Sequence, residues 1–233
     1  MHNKLCLGVF LLMASFALAQ NPPAVAPQHS SHTASHAKPS AEEVWANLMA
    51  GNDRFVSGTP KARDLVALRK RLASGQSPNV IILSCSDSRV GPEVIFDQSL
   101  GDIFVVRTAG NVADPVALGS IEYAVEHIHS PLLVVLGHQK CGAVSAACSG
   151  EKMPSPNLEA IMKKIDPAVS QAKTHTGSDD LIEAAIQANV HQSAEDVLAN
   201  SEIVRNAVKA HKLTVIEAEY QFDTGRVVRL TSQ

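Results

Sequence analysis

The sequence predicts an α/β fold with a mostly parallel central sheet, an antiparallel edge strand and helices on both faces. Three observations carry this. Short β-branched runs recur at Asn79–Ser84, Ile103–Val106 and Leu132–Leu136. They lack polar alternation, as expected of parallel strands buried on both faces. Stretches with helical spacing separate and follow them, which implies βαβ crossovers. Two late runs, Lys212–Ala218 and Arg226–Leu230, flank Asp223-Thr224-Gly225, a hairpin signal that makes the last strand antiparallel.

Taken in order, the chain opens with Lys4 and an apolar run from Leu5 to Ala19, broken only by Gly8 and Ser15. It ends Ala17-Leu18-Ala19, a small-x-small pattern, so residues 1–19 read as a cleaved signal peptide rather than an uncleaved anchor. The run is shorter than the roughly 20 residues needed to span a bilayer, so no membrane attachment is expected after cleavage. Residues 20–40 are rich in Pro, Ser, Ala and His and read as a linker. His29, His32 and His36 read as part of a polar spacer, with weak metal gathering as the lesser alternative. A single catalytic domain is expected over 41–233.

Within that domain the first helix starts after Ser40, with Glu43 closing a capping box. Its apolar face carries Val44, Trp45, Leu48, Met49 and Phe55. Further helices are expected at 62–74, from Pro115 to His129, at 141–149, at 158–172 and over 179–210, with a break around Thr174–Ser178. The net charge is −3 with histidines neutral, and the basic run Arg69-Lys70-Arg71 is short, so no nucleic-acid partner is expected. Signal cleavage would leave Cys85, Cys141 and Cys148, an odd count that argues against a disulfide framework.

Ligands of such sheets gather beyond the carboxyl ends of the strands. Two segments are expected there, directly after the first and third strands: Ser84-Cys85-Ser86-Asp87-Ser88-Arg89-Val90 and Gly137-His138-Gln139-Lys140-Cys141-Gly142. If the first stays extended, Cys85, Asp87 and Arg89 share one side. Two thiolates and an imidazole suit zinc. Asp87 either fills the fourth position or leaves it to water, and Arg89 can hold Asp87 by a charge-assisted pair. A Cys85–Cys141 disulfide and plain buried thiols are the alternatives. Zinc with two thiolates and a neutral imidazole is formally uncharged, so it should acidify water less than a three-histidine site does. Activity is therefore expected to rise above neutral pH and to collapse if Asp87 moves onto the metal. Cys148 reads as a small core residue.

At these motifs the chain resembles the β-class carbonic anhydrases. Cys85-Ser-Asp87-Ser-Arg89-Val90 and His138-x-x-Cys141-Gly142 carry the resemblance, with Gly101-Asp102-Ile-Phe-Val-Val-Arg107, Ala109-Gly110-Asn111 and Ser120-Ile-Glu122-Tyr123-Ala124 between them. It covers about residues 41–231. It implies one Zn2+ per subunit on Cys85, His138 and Cys141, with Asp87 and Arg89 orienting a zinc-bound hydroxide that converts carbon dioxide to bicarbonate. It further implies a substrate pocket of Gln76, Val90, Phe104 and Tyr123, with Gln76 reaching the partner's site in a homo-oligomer, a dimer or tetramer. Gln76, Phe104 and Tyr123 resemble the plant-like, open-site subgroup. Ile82 stands where the rival subgroup has a Trp. Thr108 and Ala143 are small departures. A periplasmic location is expected, with secretion as the second choice. The alternatives are a same-fold hydrolase of carbon disulfide or a similar heterocumulene, and a non-catalytic exported zinc-binding protein.

Overall fold

The computed structural model describes residues 38–175 and 181–231. The expected signal peptide and nearly all of the linker, with its histidines, lie outside the described residues. Helix α1 (Ala41–Val56) begins at Ser40, whose hydroxyl accepts the Glu43 N–H while the Glu43 carboxylate accepts the Ser40 N–H, so the expected capping box is formed. The second helix is shorter than the spacing suggested. Asp64 caps α2 (Leu65–Arg71), which tightens into a 3₁₀ turn over Leu72–Ser74. Strand β1 (Val80–Cys85) leads to a four-residue helix α3 (Pro92–Ile95), which the sequence reading did not anticipate. Strand β2 (Ile103–Thr108) is followed by α4 (Pro115–Tyr123). One π turn, Ala124–Ile128, then ends at His129 in the left-handed region.

Strand β3 (Leu132–His138) precedes α5 (Gly142–Ser149), α6 (Pro156–His175) and α7 (Leu181–Asn200). The stretch expected to be mostly helical to 210 is divided at Ser201. Its hydroxyl accepts the Val204 N–H and starts α8 (Glu202–Lys209), because a serine oxygen competes with the backbone and favours a cap over a helix interior. Strands β4 (Thr214–Tyr220) and β5 (Val227–Arg229) close the chain.

The sheet order is β2-β1-β3-β4-β5. The first three pairings are parallel and β4–β5 is antiparallel, as the sequence predicts. Alternate residues of β1 and β3 face opposite layers, which is why these strands are apolar over Val80–Leu83 and Leu132–Leu136. Ile81, Leu83, Leu133 and Val135 pack with α4, α7 and α8. Val80, Ile82, Leu132, Val134 and Leu136 pack with α1 and α3. A third cluster joins α5, α6 and α7 around Cys85 and Cys141. No helix among the described residues is long and apolar enough to cross a membrane.

Two polar knots tie α1 to the rest. Asn52 is fully buried; its amide nitrogen donates to the Ile95 and Gly225 carbonyls, and its oxygen accepts the Val227 N–H. Asp97 is buried and accepts from Arg54 Nε at 2.5 Å and Arg63 Nη1 at 2.6 Å. Burial pushes this carboxyl up, but the Arg63 and Arg54 guanidiniums and the Lys61 N–H outweigh it and hold it well below the ordinary carboxylate range.

Candidate metal centre

The sequence placed Cys85 and His138 in loops beyond their strands. The structure instead runs both strands one or two residues further, so each ligand is the last residue of a fully paired strand. The extension matters because a strand fixes a side chain more tightly than a loop does. Cys141 enters three residues after His138, just before α5, with Lys140 in the left-handed region to make the turn. The ligand atoms of Cys85, His138 and Cys141 lie within 4.8 Å of one another, and all three residues are buried.

The donor chemistry fits zinc. His138 Nδ1 lies 2.8 Å from the Gln139 carbonyl. A carbonyl only accepts, so Nδ1 carries the proton and Nε2 presents a bare lone pair. Nε2 is buried and has no hydrogen-bond partner. Leaving such an atom dry and unpaired costs about 1–3 kcal/mol, and a metal ion would satisfy it. The two thiols compete for one negative charge. The Cys141 thiol beside it lowers Cys85 to about 4, despite burial, while that same hydrogen bond and burial raise Cys141. A divalent cation removes this conflict by stabilising both thiolates. Neither thiol forms a disulfide.

The backbone around Cys85 is held by residues whose roles the sequence reading did not assign. Arg107 donates from Nε to the Cys85 carbonyl at 2.9 Å and from Nη2 to the Asp87 carbonyl at 2.6 Å. The Gly110 N–H donates to Cys85 Sγ at 3.3 Å, and its carbonyl accepts from Asn189. Gly110 has φ 68°, where a Cβ would also lie 2.8 Å from Ile165 Cδ1, so only glycine suits the position. The Gly110-Asn111 pair was the available signal, since both residue types tolerate left-handed backbone.

Asp87 and Arg89 pair, though not by an extended strand. The chain turns after Asp87: its Oδ1 accepts the Arg89 N–H at 2.9 Å and its carbonyl accepts the Val90 N–H. Arg89 then forks onto the carboxylate, Nε to Oδ1 at 2.9 Å and Nη2 to Oδ2 at 2.7 Å. This pair holds Asp87 well below the ordinary carboxylate range. Asp87 Oδ2 lies 4.0 Å from His138 Nε2, beside the ligand atoms and outside their set.

The expected pocket residues are spread more widely. Val90 is fully buried in the α1-side cluster, and its N–H closes the Asp87 turn. Phe104 on β2 and Tyr123 at the end of α4 form an aromatic pair with centroids 6.2 Å apart. Tyr123 is 48% exposed and also meets His127 at a tilt of 50°, with centroids 5.0 Å apart. Gln76 is exposed in the segment leading into β1.

Fold and site together define an α/β protein with three protein metal-ligand side chains, two thiols and one imidazole, the ligand count of a catalytic rather than a structural zinc site. Residues 80–227 match the family described as carbonic anhydrase. Carbonic anhydrase 2 of Mycobacterium tuberculosis is 40% identical over 189 residues, covering 79% of this chain and 90% of that protein. The carbonic anhydrase of Mycolicibacterium smegmatis is 37% identical, with coverage of 79% and 90%. Among solved structures, the Coccomyxa β-carbonic anhydrase in complex with acetazolamide superimposes with a TM-score of 0.63 at 27% identity, covering 82% of this chain and 84% of that one. A tetrameric β-carbonic anhydrase of Sordaria macrospora gives 0.65 at 25% identity, with coverage of 82% and 98%. The chain belongs to the β-class carbonic anhydrase family.

Proposed function

We propose that this chain is a zinc-dependent carbonate dehydratase that reversibly hydrates carbon dioxide to bicarbonate and a proton. The observation that carries this is the convergence of Cys85, His138 and Cys141 beside an Arg89-held Asp87. Bound there, zinc supplies a Lewis acid that brings the pKa of its water toward the physiological range.

The chain's own residues set the rest. Arg89 donates one side-chain hydrogen bond to each Asp87 oxygen, which keeps the carboxylate ionised and paired beside, but outside, the ligand set. An ionised Asp87 is acceptor-only, so it orients a proton-bearing group beside it without donating. That geometry favours the open-site subgroup, as does the buried Ile82 in place of a bulky tryptophan. Phe104 and Tyr123 suit the walls of a pocket for an apolar substrate. Gln76, reaching from a partner subunit, donates to the substrate oxygen that gains charge. A two-fold homo-oligomer follows from that reach, and the Sordaria relatives are described as tetrameric. The leader at residues 1–19 and the linker at 20–40 support export of the domain at 41–233 to a periplasm.

Stopped-flow carbon dioxide hydration on zinc-quantified protein tests this. Wild type should carry one zinc per chain and turn over. Cys85→Ser should lose zinc and at least a hundredfold in kcat/KM, since outer-shell changes alone cost about 10–100-fold. Zinc-loaded wild type that ignores carbon dioxide but hydrolyses carbon disulfide would assign the heterocumulene reaction instead.

A further inference from the structure

We propose that Phe222 is a positioning residue for the Asp87–Arg89 pair, an inference that rests on the zinc-enzyme reading above. The ring occupies the hairpin between β4 and β5. The Arg89 guanidinium carbon lies 4.3 Å from its centroid, over the ring face. Its neighbour on another side is the His138 imidazole, met edge-on with centroids 5.5 Å apart and planes at 72°. One aromatic side chain therefore touches both the dyad and a metal ligand that enters on a different strand.

The arrangement answers a physical need. Arg89 is 54% exposed at its side chain, and an exposed arginine samples many rotamers. The fork onto Asp87 fixes the guanidinium only within its own plane, so the two groups could still swing together. A ring beneath the guanidinium face supplies the missing restraint, because the face of an aromatic quadrupole attracts a cation.

The ring itself is anchored. It packs edge-on against Tyr220, with centroids 5.3 Å apart, and Tyr220 is buried against Phe55 of α1. The hairpin is tied down at both sides. Asn52 holds Gly225 and Val227, while the Tyr220 carbonyl accepts the Gln139 N–H at 3.0 Å. Lys140 also pairs with Asp223 at 3.1 Å, which joins the hairpin to the loop between His138 and Cys141. The hairpin is thus a brace with its rigid end in the core and Phe222 at its working end. Nothing in the spacing of the sequence marks this residue, since it lies 81 positions from the next ligand motif's Cys141 and 133 from Arg89.

The test compares zinc-loaded wild type with Phe222→Leu and Phe222→Tyr. The first readout is the Arg89 Nε–Hε resonance, assigned by its loss in Arg89→Lys. Ring current displaces it in wild type and in Phe222→Tyr; Phe222→Leu should return it toward the value of a free arginine. The second is hydration kinetics. At an exposed site a cation–π contact shifts a rotamer equilibrium about two- to fivefold, so Phe222→Leu should lose about that factor in kcat, with zinc content unchanged and Phe222→Tyr restored. An Arg89 resonance indifferent to Phe222→Leu, or a Phe222→Tyr enzyme as impaired as Phe222→Leu, would overturn the proposal. Zinc-loaded wild type without hydration activity would instead sink the functional reading, and the resonance would still decide whether Phe222 holds Arg89.

Discussion

Raising the pH should loosen this protein through one buried carboxyl, Glu219. It sits near the end of β4, 1% exposed, with Gly137 as its register partner on β3. Gln187 Nε2 donates to its Oε2 at 3.2 Å. Burial and the Glu183 carboxyl beside it raise its pKa from 4.5 to about 8. The folded chain therefore keeps a proton there that the unfolded chain has already lost. The stabilisation is fully present below pH 4.5 and is lost as the pH climbs to about 8. The slope is at most about 1.4 kcal/mol per pH unit, which over that window amounts to a few kcal/mol. Glu219→Gln keeps the shape and the Gln187 contact but cannot ionise. Urea unfolding of zinc-loaded protein at pH 6 and pH 9 isolates the effect, because other titrating groups cancel between the two proteins. The difference in stability between the variant and wild type should shift in the variant's favour by about 2–3 kcal/mol from pH 6 to pH 9. A difference that does not change with pH would refute the reasoning.

Two further perturbations probe what holds the site. Asp97→Asn leaves Arg54 and Arg63 without their shared carboxylate; with both side chains about one-fifth exposed, water relieves part of the loss, and urea unfolding should show about 2–4 kcal/mol of destabilisation. Its low pKa means this clamp persists in mild acid and fails only as the pH falls below the ordinary carboxylate range, so the deficit of Asp97→Asn should stay constant from pH 5 to 8. Gly110→Ala forces a Cβ onto a left-handed backbone and to within 2.8 Å of Ile165. It should cost about 2–4 kcal/mol, and, because the Gly110 N–H supports Cys85 Sγ, chelator competition should show weaker zinc retention.

Much of the site was legible because its residues are local. Cys85, Asp87 and Arg89 lie within five positions, and His138 and Cys141 within four, so spacing and ligand chemistry alone brought each cluster into view. The inner strands were legible for a similar reason: β1 and β3, buried on both faces, show near-continuous apolar runs, whereas β2, expected to be buried likewise, is a half-buried edge strand. The geometry of the dyad was not. An extended segment and a turn both bring Asp87 and Arg89 together, and only the Asp87 turn, closed by the Arg89 and Val90 N–H groups, shows which occurs. The break at Ser201 was written in a capping residue, yet helical spacing on both sides masked it.

What the sequence determined by itself was the order of the five strands along the chain and the two short clusters, Cys85-Asp87-Arg89 and His138-Cys141, since each depends on residue type and short spacing. What tertiary structure alone decided was the support: Arg107 across the Cys85 turn, Gly110 under its sulfur, Asn52 and Asp97 fixing α1, and Phe222 against Arg89. Those contacts join segments far apart in the chain. Their partners are chosen by where the sheet and helices converge, and no local pattern in the sequence records that meeting.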